Sequence, residues 1–118
     1  MPKPDFRISP DHFSVAEQEL LVQLGSDLAG SQALPMSSAE LAERGKRWLV
    51  AQHAFLEAQI CSSPTIKEFT LNTSDSSAIA VELAKLLAGL LLPVNPATLA
   101  VLLVRKGLKT FCATRWGS

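Results

Sequence analysis

Two segments in the first half of the chain combine a helix-start signal with apolar residues at helical spacing. Ser14–Glu17 and Ser37–Glu40 both have the sequence Ser-x-x-Glu, a capping box in which a hydroxyl and a carboxylate satisfy free amides of the first helical turn. The apolar positions that follow the first box are Leu20, Leu21, Leu24 and Leu28, before Gly30. Those that follow the second are Leu41, Trp48, Leu49, Phe55, Leu56 and Ile60. The pattern predicts two amphipathic helices, the second reaching about Cys61.

The second half of the chain is more apolar and predicts a pair of helices joined by a short turn. Residues 76–92 are apolar on nearly all sides, with Glu82 and Lys85 on one narrow stripe. Asn95 suits a helix N-cap and Pro96 the first helical position, so a fourth helix is expected from 97 to about 112. Residues 62–77, which contain Pro64 and many short polar side chains, are expected to form a loop, whose middle, residues 65–71, is either one helical turn or a short extended stretch.

These elements predict an all-α protein with about four helices in a compact bundle. Residues 76–112 would form a C-terminal antiparallel hydrophobic helical hairpin, and residues 1–13 an extended N-terminal arm on a single helical domain spanning 14–118. A chain of 118 residues is long enough to bury one core without metals or disulfides.

The predicted hairpin carries more large apolar side chains than one seam of a four-helix bundle covers. Each leucine or valine left in water forgoes roughly 1.5–3 kcal/mol of burial, so we expect another chain to cover part of this surface. The candidate interface residues are Leu83, Leu86, Leu87, Leu90, Leu99, Leu102 and Leu103. The leading hypothesis is a protein–protein interaction module, a homodimer or an adaptor or regulatory subunit, whose partner is itself or another protein.

Contact with a membrane surface is the alternative use of the same hairpin. Neither helix has the roughly 20 apolar residues that a membrane span requires. Arg105, Lys106 and Lys109 lie near the end of the fourth helix, however, where they are candidate contacts for anionic lipid. Cations are also expected there without any lipid, because the helix dipole favours them. The protein interface is therefore the preferred interpretation.

Charge and cysteine usage narrow the classes of function. Eleven basic and eleven acidic residues give no net charge, which argues against general nucleic-acid binding. The charge is −3 over residues 1–60 and +3 over residues 61–118, which favours a weak attraction between two halves of one fold. Cys61 and Cys112 form no CxxC pair, and the N-terminus does not resemble a secretory signal. We therefore expect a cytoplasmic protein with reduced thiols.

One alignment of reactive side chains occurs on the second predicted helix. His53, Glu57 and Cys61 follow each other at spacings of four, which places them on one helix face and makes them a weak candidate metal or thiol site. A fourth ligand is missing, since the other histidine, His12, lies in the N-terminal arm. An exposed His–Glu pair beside a packed cysteine is the simpler interpretation. With no catalytic motif elsewhere, the sequence predicts a non-enzyme without a cofactor or a metal.

Overall fold

The computed structural model describes residues 8, 13–30 and 36–117, and these form an all-α structure, which confirms the predicted fold class. No strand occurs in these ranges. The helices are α1 (Glu17–Ala29), α2 (Ser38–Cys61), α3 (Pro64–Asn72), α4 (Ser76–Gly89), α5 (Pro96–Lys106), α6 (Leu108–Phe111) and α7 (Ala113–Trp116). Most of the arm predicted for residues 1–13 lies outside the described residues; Ile8 is buried and Phe13 is half-buried.

Two of the predicted helix starts are confirmed and one is wrong. The Ser37 hydroxyl accepts a hydrogen bond from the Glu40 amide at 3.2 Å, and the Asn95 side chain accepts one from the Ala97 amide at 2.9 Å. The first helix does not begin directly after Ser14, because α1 begins at Glu17 with Ala16 as its N-cap. The backbone carbonyl of Val15 instead accepts a hydrogen bond from the Arg105 side chain. A distant residue therefore takes a carbonyl that an earlier helix start would have used.

The segment predicted to be a loop contains a helix. The Ser63 hydroxyl accepts a hydrogen bond from the Ile66 amide at 3.3 Å, and Pro64 occupies the first turn of α3. Proline has no amide N–H that would be left unpaired in the first helical turn. Pro64, which was expected to interrupt the preceding helix, therefore also suits the start of α3. Ile66 and Thr70, four residues apart, bury one face of α3.

The last predicted helix is shorter than expected. It ends at Lys106 because Gly107 has a φ of +95°, a conformation that side chains with a Cβ rarely adopt. The chain then continues through α6 and α7, which are four residues each and are separated by Cys112.

Close backbone contact joins α1 to α2, while leucine packing joins α4 to α5. A Cβ on Gly25 would lie 1.8 Å from the Leu41 carbonyl oxygen, and one on Gly45 would lie 2.5 Å from that of Leu21. Both glycines therefore allow the backbones of α1 and α2 to cross at close distance. The Asp27 carboxylate accepts a hydrogen bond from the Asn95 amide at 2.8 Å, which ties the end of α1 to the start of α5.

Candidate functional site

The seven leucines predicted to form an interface lie mostly inside the chain's own core. Five of them, Leu83, Leu87, Leu99, Leu102 and Leu103, are buried, and Leu86 and Leu90 are half-buried. The expectation that α4 and α5 expose more apolar surface than the chain can cover is wrong for these five. Helices α1, α2 and α3 and Ile8 share one apolar cluster with them, and this covers faces that the sequence pattern left open.

The large apolar side chains that do meet water lie elsewhere. Val50 and Phe55 on α2 are 72% and 43% exposed, and Leu71 on α3 is 51% exposed. Leu91, in the turn between α4 and α5, is 90% exposed. Phe55 was predicted to belong to the buried stripe of α2. It lies one residue before Leu56, which is fully buried, and the helix rotation of about 100° per residue places Phe55 on the side of α2 that meets water.

Val50 lies at the centre of a groove that we call the α2 cleft. The groove has a larger part of about 540 Å³, between α2 and the start of α1, and a smaller part of about 220 Å³, between α2 and the end of α5. Leu49, Val50 and Lys106 line both parts, so the two lie side by side. The smaller part is mainly apolar, and its other walls are Leu56, Leu103, His53 and Phe111.

Charges of both signs surround the larger part of the α2 cleft. Glu17 and Glu43 contribute carboxylates, and Lys46 and Lys106 contribute ammonium groups. Lys106 Nζ lies 3.6 Å from a Glu17 carboxylate oxygen, and both side chains are about half exposed. Surface pairs of this kind contribute little to stability, so these groups remain open to other ionic partners.

The cations proposed for lipid contact are partly used within the chain. Arg105 donates a hydrogen bond to the Val15 carbonyl, and Lys106 pairs with Glu17. Lys109 is exposed on α6. The exposed Leu91 lies beyond the opposite end of α5, and the 11 residues of that helix span about 16 Å. The exposed apolar Leu91 and the basic residues Arg105 and Lys106 thus lie at opposite ends of α5.

The three residues of the candidate metal site do not form one. His53 Nε2 lies 3.3 Å from a Glu57 carboxylate oxygen, which agrees with the simple helix-surface pair. Cys61 forms a disulfide with Cys112, so its sulfur is not available as a ligand and the expectation of reduced thiols is wrong for this structure. Among the described residues, no group of three or more His, Cys, Asp or Glu side chains is placed to hold a metal ion.

The sequence contained weak signals for the residues that were missed. Cys61 and Cys112 are the only two cysteines of the chain, which makes one pairing possible, but their separation of 51 residues gives no local evidence for it. Phe111 directly precedes Cys112, and its ring meets that of His53 edge-on, with centroids 5.0 Å apart. Its place in the wall of the α2 cleft depends on how α6 folds back onto α2.

Comparisons with known proteins give no match that would indicate a function. No family model matches the chain, and no curated protein or solved structure gives a significant match. Within residues 8, 13–30 and 36–117, every helix falls short of the length and apolar character needed to cross a bilayer.

Proposed function

We propose that this protein is a protein–protein interaction module, an adaptor or regulatory subunit, that binds an amphipathic helix of another protein in the α2 cleft. The observation that carries the proposal is a groove whose smaller part is mainly apolar, whose larger part is surrounded by charges of both signs, and which has Val50 exposed between the two parts. Apolar side chains of a partner helix would enter the groove, in the mode by which helix-binding domains commonly recognise their targets.

The mixed rim favours a protein partner over a polyanion. A nucleic acid or an anionic membrane would meet Glu17 and Glu43 as well as Lys46 and Lys106, so its attraction to the cations would be opposed. A peptide that carries both an acidic and a basic residue can pair with both sides. Such charge complementarity also selects one orientation of the bound helix.

The size of the exposed apolar surface favours an inserted helix over a flat dimer. Stable interfaces bury about 800 Å² on each partner, whereas the exposed apolar side chains near the α2 cleft are Val50 and Phe55, beside the half-buried Leu49 and Phe111. A helix in a groove buries its apolar side chains on two sides and needs fewer of them. A different protein is therefore the proposed partner, and a second copy of this chain is an outcome that the experiment detects.

Site-specific photocrosslinking tests the proposal. A photoreactive phenylalanine analogue replaces Val50 in the chain expressed in its native cells, and Leu71 serves as the matched position because it is also an exposed apolar residue. We expect a covalent adduct from position 50 that position 71 does not form. Its mass identifies the partner, and an adduct of twice the chain mass would identify a second copy instead.

A charge reversal on the rim of the α2 cleft tests whether the adduct depends on an ionic contact with the partner. We expect Lys46→Glu to lower the yield of the position-50 adduct at least fivefold, because the partner loses an ionic contact. Lys67→Glu, an equally exposed change on α3, should leave the yield within twofold. Identical adducts from positions 50 and 71, or none from either, would refute the proposed site.

The cytoplasmic location predicted from the sequence remains part of the proposal. Thiol reductants in that compartment keep most cysteines reduced, and the disulfides found there are usually transient or redox-sensing.

A further inference from the structure

A covalent bond attaches the end of the chain to α2. Cys112, between α6 and α7, forms a disulfide with Cys61, the last residue of α2, and their Cα atoms are 5.4 Å apart. We call residues 107–117 the C-terminal segment. Its two helices have four residues each, and helices this short do not persist in water without tertiary contacts. The order of this segment therefore depends on what holds it to α2 and α5.

Noncovalent contacts also hold the C-terminal segment against the rest of the chain. The Trp116 indole donates a hydrogen bond to the Cys61 carbonyl at 2.8 Å, and Arg115 Nε lies 3.3 Å from a Glu57 carboxylate oxygen. The third is the edge contact of Phe111 with His53. The side chains of Arg115 and His53 are 46% and 56% exposed, so water competes for both of their interactions. These two contacts hold the segment weakly by themselves, whereas the Trp116 hydrogen bond is partly buried.

Two buried side chains oppose the release of the C-terminal segment from the rest of the fold. Leu108 and Cys112 belong to the apolar core, and Leu108 follows Gly107 directly, so it keeps the start of the segment next to α5. Beyond Leu108, the Cys112 side chain is the only fully buried one and Phe111 and Trp116 are half-buried against the core, while residues 109–117 all lose conformational freedom when they are ordered. Without the covalent bond, the balance beyond Leu108 favours release.

The C-terminal segment also forms part of the α2 cleft. Phe111, next to Cys112, makes one wall of the smaller part, opposite Leu49 and Val50. Moving the segment away from α2 would remove this wall and expose the apolar side chains of Leu56 and Leu103 behind it. The disulfide thus determines the width of the groove.

We propose that the Cys61–Cys112 disulfide is a redox switch that opens the smaller part of the α2 cleft when a dithiol reductant cleaves it. A thiolate of the reductant attacks one cysteine sulfur, and the other cysteine leaves as a thiolate that takes up a proton. The second thiol of the reductant then displaces the first cysteine. The disulfide gains two electrons and two protons and becomes two cysteine thiols, and the dithiol becomes a disulfide. The freed segment beyond Leu108 leaves α2.

The burial of the disulfide limits the access of reductants to its sulfur atoms. Cys112 is completely buried and Cys61 is 5% exposed, so a reductant reaches the sulfurs when the C-terminal segment opens locally. Spontaneous reduction by small thiols is accordingly slow. The weak contacts of Trp116, Arg115 and Phe111 are the ones that such an opening breaks.

Hydrogen exchange measured by mass spectrometry tests the switch on the full chain, oxidised and after reduction with dithiothreitol. In the reduced chain we expect the amides of residues 109–117 to exchange within tenfold of the rate of an unstructured peptide. The amides of Leu99–Leu103 in α5 should keep at least a hundredfold protection, because the core does not depend on the segment.

A second variant guards against effects of the reductant. The double change Cys61→Ala and Cys112→Ala removes the bond without burying a new polar group, and it should reproduce the exchange of the reduced chain. Retained protection of residues 109–117 would overturn the switch. Equal loss of protection in α5 would overturn it as well, because the bond would then support the whole fold.

The role of the switch in binding rests on the proposed function, and the two fail separately. Repeating the position-50 crosslink in the alanine variant should raise the adduct yield at least threefold, because the smaller part of the groove is open. An absent adduct in both chains would refute the proposed function and leave the exchange result unchanged. An adduct with equal yields in both chains would refute the coupling of the switch to binding.

Discussion

Leu91 combines a backbone conformation that leucine disfavours with a side chain that makes almost no contact. Its φ is +56°, in the left-handed region, and its side chain is 90% exposed. The left-handed conformation costs an L-residue with a Cβ roughly 1–2 kcal/mol. The residue therefore contributes a strain to the folded state that no burial offsets.

Replacing Leu91 by asparagine, which tolerates the left-handed region, should stabilise the protein. We expect Leu91→Asn to raise the free energy of unfolding in urea by about 0.5–1 kcal/mol. Leu87→Ala, at a fully buried position of the preceding helix, should lower it by about 2–5 kcal/mol. A loss of stability with Leu91→Asn would mean that the leucine makes a favourable contact in solution.

At the scale of elements, the contact between α1 and α2 depends on two glycines. Gly25 and Gly45 lie inside helices, where glycine costs about 1 kcal/mol relative to alanine. This cost is offset by the close approach of the two backbones, which glycine permits. A Cβ at either position would overlap a carbonyl oxygen of the other helix. Large side chains at these positions would separate α1 from α2 and change the larger part of the α2 cleft.

Alanine substitutions separate the glycines that serve packing from one that does not. We expect Gly25→Ala to lower the free energy of unfolding by about 3 kcal/mol, because backbone atoms must move to admit the methyl group. Gly89→Ala adds a methyl group in open space at the end of α4 and should raise it by about 0.5 kcal/mol. Comparable effects of the two changes in thermal or urea unfolding would contradict the close crossing of α1 and α2.

At the scale of the whole molecule, one core includes helices from both halves of the chain. Ile8, α1 and α2 share an apolar cluster with α3, α4 and α5, and Cys61 and Cys112 belong to it. The disulfide closes a loop over a separation of 51 residues. In the chain-entropy description, a loop of this length stabilises the fold mainly by restricting the unfolded chain.

Loss of the disulfide should therefore lower global stability as well as free the C-terminal segment. We expect the double change Cys61→Ala and Cys112→Ala to lower the free energy of unfolding by up to about 4 kcal/mol. Urea titrations of the oxidised chain and the variant measure this difference. A domain of this size has a total of about 5–15 kcal/mol, so the core of the variant should remain folded. An unfolded variant would contradict the separation of the segment from the core.

Much of the fold follows from short-range sequence features. The helical spacing of the leucines predicted α1, α2, α4 and α5, and the caps at Ser37 and Asn95 were placed correctly. The start of α1 was misplaced because Arg105, 90 residues away, binds the Val15 carbonyl. For α3 the sequence predicted at most one helical turn, because Pro64 was interpreted as a breaker and Ser63 was not recognised as an N-cap.

The candidate site was less predictable than the fold, because it depends on which apolar faces the chain covers. The pattern identified the apolar side chains of α4 and α5 correctly but assigned them to an interface. In the folded chain five of the seven predicted interface leucines are buried, while Val50 and Phe55 of α2 are exposed.

The sequence by itself determined the all-α class, the positions of the main helices and the N-caps of α2 and α5. These depend on interactions within one or two helical turns, which neighbouring residues specify. The tertiary structure alone decided the pairing of Cys61 with Cys112, the close crossing at Gly25 and Gly45, and the α2 cleft beside Val50. Each of these depends on how segments far apart in the chain are placed against one another, and a periodic pattern of apolar residues is compatible with more than one such arrangement.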